Sequence, residues 1–274
     1  MSASVWTESS DLSAAADKAL KLAARFWFVV AVAGQWIFLA YVVAFYGGTA
    51  LQGNLEAWNK VLPHGHTPGD TIGNAAVATH LILAVVIMLG GPLQLIPQLR
   101  ALAPRFHRIN GRVYVLAVSL TSLVGLYMVW THSSTYRVVQ HVGVSIDAIL
   151  IITFAVLAVR RAMARDIRAH RRWTLRLFMV VNAGWFFRIG LMQWVFYNRG
   201  PAGFDPETFT GPFINFLSYA DYLLPLAILE IYLRTKDRAS VGARFALAAA
   251  LLVLTVMTGV GIFAASMVMW LPRL

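Results

Sequence analysis

The sequence predicts an all-α membrane protein, a polytopic bundle of seven transmembrane helices with the N-terminus in the cytoplasm and the C-terminus outside. Three observations predict it. Of 274 residues, 59% are apolar and 13% charged, against roughly a quarter charged in soluble domains. Seven apolar runs follow one another, at about 22–46, 74–98, 111–131, 141–160, 173–197, 213–233 and 243–270. Each supplies the ~20 residues that cross a hydrocarbon core of ~30 Å. Third, Lys and Arg crowd into alternate connections. No run alternates as an outer-membrane strand does, and only helices satisfy their own backbone in lipid.

The elements follow in order. Residues 1–21 are polar and alanine-rich, with Asp11, Asp17 and Lys18. They read as a short amphipathic cytoplasmic lead-in without the features of a cleavable signal. Residues 22–274 form a single transmembrane domain. Lys18, Lys21 and Arg25 precede the first span. Arg100, Arg105, Arg108 and Arg112 lie between spans two and three, and Arg160, Arg161, Arg165, Arg168, Arg171, Arg172 and Arg176 between four and five. Arg234, Lys236, Arg238 and Arg244 lie between six and seven, while Lys60, Arg137, Arg199 and Arg273 are alone on the other side. The positive-inside rule sets the orientation from this asymmetry.

The formal charge of +11 hugs membrane boundaries one short connection at a time, which suits anionic lipid headgroups and not nucleic acid. With no cysteine, thiolate chemistry and Cys-ligated clusters are excluded. The connection at 47–73, with Gly47-Gly48, Pro63, His64, His66, Pro68 and Gly69, reads as a lid over the outer end. The segment from Asn198 to Pro212 lies beside it. Gly90-Gly91-Pro92, Pro97 and Pro225 mark places where the second and sixth spans bend or end.

Four histidines fall into two layers. His80 lies about six residues into the second span, ~9 Å below the outer boundary, and His141 begins the fourth. His107 and His170 precede spans three and five. Paired histidines on facing helices are how bundles hold b-type haem, so His80 with His141 is the favoured axial pair and His107 with His170 the inner one. His80 and His141 with a nearby carboxylate are equally a ligand set for another metal. At the inner side, His107, Arg108 and Arg112, and likewise His170, Arg171 and Arg176, stand at helix starts where they can converge on an anion. Within the membrane, Arg188, Asp147 and Asp221 lie at one outer-half level. A charge there calls for a partner, so Arg188 is expected to pair with Asp221 or Asp147, with Tyr219 beside them in a polar pocket under the lid.

The run His80, Gly91-Pro92-Leu93-Gln94, His107-Arg108, Gly111-Arg112-Val113-Tyr114, His170-Arg171-Arg172-Trp173, Arg176 and Arg188 resembles a family of bacterial membrane proteins catalogued as domain of unknown function 2306. The resemblance covers about 75–195 and implies a multi-spanning bundle in the bacterial plasma (inner) membrane, with no activity attached. Thr174 departs from the pattern, which has Met there, and His141 has no counterpart in it. The histidine order is also similar to that of two-haem transmembrane cytochromes b, which implies electron transfer by analogy of arrangement.

Three readings follow. The first is a membrane redox protein with haem b, taking electrons from a quinol or a cytoplasmic donor. The second is a non-redox protein, transporter or accessory subunit, that binds a lipid headgroup or small anion. The third is a membrane enzyme with a His-bound metal. Membrane lipids are the expected surroundings and a quinone or redox partner the expected company. No residue is identified as catalytic.

Overall fold

A computed structural model describes the backbone of residues 2–62, 64–132 and 137–274 and the side chains of 11–62, 64–131 and 137–274. Pro63 and the side chains of the first ten residues, used above for the lid and the lead-in, lie outside the described residues. Among the described residues ten α-helices run α1 (Ser2–Val42), α2 (Gly48–Leu51), α3 (Thr71–Leu95), α4 (Pro97–Leu102), α5 (Pro104–His132), α6 (Val138–Met163), α7 (Ile167–Val181), α8 (Ala183–Asn198), α9 (Pro212–Arg238) and α10 (Val241–Ala265). Among the described residues there is no β-strand, only an isolated bridge between Asp205 and Thr210. Six helices are long and apolar enough to cross a membrane, and α7 with α8, bent by 49° at their junction, completes a seventh span.

α1 continues through a π turn, Val43–Gly47, into α2 and runs unbroken through the expected boundary at residue 21. Leu20 and Ala23 are buried against Ala248 and Leu251 of α10, and Arg244 holds Asp17 at 3.0 Å. The start of the first span is thereby tied to the start of the last.

The spans close into a ring. α1 packs on α10 and α3, α3 on α5, α5 on α6, α6 on α7 and α9, and α8 on α9 and α10. Small residues set the close crossings, as they do where lipid offers helices no hydrophobic incentive to associate. Gly90 and Gly91, expected as helix breakers, are helical. They let α5 approach α3: a Cβ on Gly90 would stand 2.9 Å from Asn110 Oδ1 and one on Gly91 3.0 Å from the Tyr114 ring. Asn110 Nδ2 donates to the Gly90 carbonyl at 2.9 Å. α3 ends at Leu95, Ile96 is extended, and Pro97 opens α4 at its first turn, where its missing N–H costs nothing. Pro225 stays inside an unbroken α9.

The break that matters was not signalled by proline. α7 stops at Asn182 (φ −89°, ψ 8°) and α8 starts one residue later. Asn182 Nδ2 donates to the Phe178 carbonyl at 2.7 Å, while its own carbonyl accepts from Trp185 N and Phe186 N. A short amide side chain competing for helix carbonyls is a known cause of bends.

The lid is ordered by reciprocal side-chain pairs. Asn59 Nδ2 donates to the His66 carbonyl at 2.8 Å and Asn59 Oδ1 accepts from His66 N at 2.9 Å. Asn74 does the same for Thr67, at 2.8 and 2.9 Å. Trp58 is buried beneath, its indole N–H donating to Thr49 Oγ1 at 2.9 Å and the Tyr46 carbonyl at 3.3 Å.

Candidate functional site

Inside the ring is a cavity of about 440 Å³ with walls from all seven spans, within the ~300–1,000 Å³ usual for small-molecule sites. Val61 and Leu62 of the lid, Tyr46 and Met269 close one end, and Val118, Ile151 and Asn182 reach the middle of the bundle. The helix break contributes Val181, Asn182, Ala183 and Gly184 to the wall. Irregular backbone at membrane depth is tolerated where it lines such a space.

Most of the wall is apolar, from Phe38, Leu81, Ile87, Met88, Met128 and Phe187. Onto it project side-chain atoms with no hydrogen-bond partner in the protein: His80 Nδ1, Thr121 Oγ1, Asp147 Oδ1, Asp221 Oδ1, Tyr41 OH, Tyr222 OH and Trp185 Nε1. Tyr41, Tyr222 and Trp185 are 2%, 1% and 4% exposed, so these groups have no bulk water to turn to. Each such group costs ~1–3 kcal/mol if nothing satisfies it, and seven of them face this one cavity.

Of the residues expected in a polar pocket, some line this cavity and others do not. His80, Arg188, Asp147 and Asp221 all line it. Arg188 does not pair with either carboxylate. Its Nη1 donates to the Gly184 carbonyl one turn back at 2.6 Å, and its guanidinium lies 5.1 Å from the centre of the Phe38 ring on α1. A backbone dipole and an aromatic face replace the carboxylate partner. Asp147 and Asp221 face the cavity from α6 and α9 instead, within electrostatic range of one another.

Tyr219 is turned away: its hydroxyl donates to the Val139 carbonyl at 2.9 Å. Ser218, Asp221 and Tyr222 form the lining stripe, and Tyr219 stands about 100° from Ser218 around the helix. His141 is also outside the wall. It is buried, with its ring edge-on to Trp130 of α5 at 5.5 Å, at the margin of the stripe Gln140, Val144, Asp147, Ala148 and Ile151. His80 thus lines the cavity, while His141 packs outside its wall. Among the described residues no group of three or more His, Asp and Glu side chains is arranged to hold a metal ion, so the expected His80, His141 and carboxylate set is not assembled.

At the arginine-rich end the histidines do meet. His107 and His170 line one cleft of about 70 Å³ with Gln94, Arg100, Arg171 and Thr174. His170 Nδ1 is 2.9 Å from the Ala158 carbonyl, and His107 Nδ1 is buried without a partner. The expected arginines sort differently. Arg108 and Arg112 are exposed and outside the cleft. Arg176 is engaged with Glu230 of α9 at 2.5 and 3.0 Å and stacks on Trp173 at 4.6 Å. Arg100, expected only as a topological anchor, takes their place. Arg100 follows the extended Ile96 and Pro97 turn, which swings α4 back towards α5.

Residues 77–203 match the model of a family described as "Predicted membrane protein (DUF2306)", the family that the His-Arg motifs resemble. The matched stretch holds His80, Asp147, the Asn182 break and Arg188, and both histidines of the small cleft. No curated protein matches the chain, and no solved structure matches it.

Proposed function

We propose that this integral membrane protein binds a lipid-soluble molecule with a compact polar head, of the quinol class, in the central cavity, and that it does so in a bacterial plasma membrane. The observation that carries the reading is the set of unpartnered polar atoms on an otherwise apolar intramembrane wall. A bare anion could meet Arg188 but would leave the carboxyl oxygens of Asp147 and Asp221 without a donor, and a plain hydrocarbon would leave all seven atoms unsatisfied. A ring bearing hydroxyl or carbonyl oxygens answers both conditions. Its hydroxyls donate to Asp147, Asp221 or His80, and its carbonyls accept from Tyr41, Tyr222 or Trp185. The apolar remainder lies along Met88, Met128 and Phe187.

Electron transfer through haem b finds less support, because His141 is packed on Trp130 and the inner cleft is small. Binding of a quinol is the part of the redox reading that the geometry favours.

The test uses a short-chain quinone titrated into the purified protein, read by quenching of tryptophan fluorescence, since Trp185 is in the wall. The double substitution Asp147→Asn with Asp221→Asn and the single substitution His80→Phe are each expected to weaken binding about tenfold or more, the worth of one charged or buried hydrogen bond. Equal affinity in the variants and the parent protein would set the reading aside.

A further inference from the structure

We propose that the cleft between the starts of α5 and α7 is a binding site for a phosphate group. This is independent of the central cavity and of what occupies it. Some of the basic residues at this end are held by acids and others are not, and only Arg100 and Arg171 of the latter border the cleft. Arg161, Arg168, Arg172, Arg176 and Arg244 each have a carboxylate within 4.0 Å, from Asp166, Asp237, Asp237, Glu230 and Asp17. Arg100 and Arg171 have none, and they line the cleft together with His107 and His170. No acidic residue lines it.

Plain charge anchoring does not require that arrangement. A residue that serves the positive-inside rule needs only to sit at headgroup level; Arg108, Arg112 and Arg171 are all exposed, but of these only Arg171 borders the cleft, together with the half-buried Arg100. Here two guanidinium-bearing residues and two imidazoles border one small cleft. The His107 Nδ1 is buried and unpartnered, and the His170 Nδ1 contact with the Ala158 carbonyl leaves Nε2 as that ring's free nitrogen. Two guanidinium groups on a cleft of about 70 Å³ that no carboxylate lines match a tetrahedral dianion, which offers several acceptor oxygens to planar guanidinium forks. The group can arrive on a lipid headgroup, in the manner of phosphatidic acid, or on a soluble phosphate compound.

The experiment separates those sources. Thermal stability of the detergent-purified protein is followed against inorganic phosphate, and then in nanodiscs of phosphatidylcholine with and without phosphatidic acid. Each series is run on the parent protein, on Arg100→Gln with Arg171→Gln, and on Arg108→Gln with Arg112→Gln. The last pair removes the same charge from outside the cleft. The single substitution His107→Asn covers the case in which the Arg100 and Arg171 variant fails to fold.

A midpoint rise with inorganic phosphate that needs about tenfold more ligand in the cleft variants, but not in the Arg108 and Arg112 variant, supports the proposal with a soluble source. A rise with phosphatidic acid alone, lost in the same variants, supports it with a lipid source. The proposal is overturned if neither ligand stabilises the parent protein, or if the Arg108 and Arg112 variant loses as much as the cleft variants.

Discussion

Arg176 on α7 grips Glu230 on α9 through two parallel hydrogen bonds, Nε to Oε1 at 2.5 Å and Nη2 to Oε2 at 3.0 Å. Their side chains are 17% and 29% exposed. The pair joins the half of the broken span that precedes Asn182 to the helix carrying Asp221 and Tyr222, so it holds two walls of the cavity in register.

That geometry makes Arg176 a structural residue. Arg176→Ala should lower stability by ~2 kcal/mol, below the cost of breaking a fully buried pair because part of it is solvated. Arg176→Lys should recover only part, since the fork is lost. Thermal unfolding in detergent measures both, and the exchange of Arg176→Glu with Glu230→Arg should restore more than either single change.

Gly90 gives a packing test. Gly90→Val places carbon where Asn110 Oδ1 stands at 2.9 Å and disturbs the bond from Asn110 to the Gly90 carbonyl. The expected loss is ~2 kcal/mol, typical of overpacking. Gly47→Ala, which meets nothing within 4 Å, should be neutral in the same assay.

The lid has its own readout. Asn74→Ala removes both bonds to Thr67, so amide exchange across Asn59–Asp70 should quicken while α3 beyond His80 is unchanged. Uniform quickening along α3 would mean that Asn74 supports the helix itself and not the lid.

Orientation is open to a direct test. A reporter fused after Leu274 should register the outer side and one inserted between α6 and α7 the cytoplasm, as the arginine asymmetry predicts. The reverse result would invert the sidedness of both the cavity and the small cleft.

How far the sequence leads is instructive. The seven spans were legible because lipid leaves no alternative for an apolar run of twenty residues. The cavity's charged residues were legible for the same reason, since Arg188, Asp147 and Asp221 have no cause to sit at that depth otherwise. The choice between Tyr219 and Tyr222, and the exclusion of His141, depend on helical phase about an axis whose facing neighbours were unknown. Asp221 and Ser218 define the stripe on which Tyr222 falls, so the sequence carries a signal for that choice. The break at Asn182 depends on one amide finding the Phe178 carbonyl, and no proline or glycine pair announces it. Which arginines pair with acids depends on contacts such as Arg176 with Glu230, 54 residues apart, that periodicity does not reach.

The most direct test of the central cavity is photolabelling with an azido-quinone, mapped by peptide mass spectrometry. Label should concentrate on α3 near His80–Met88, on α6 near Asp147 and on the Asn182–Arg188 segment, should be competed away by unlabelled quinone, and should be blocked by Gly125→Leu, which fills the cavity beside His80. Label spread over the lipid-facing surface, insensitive to both competition and Gly125→Leu, would contradict the account.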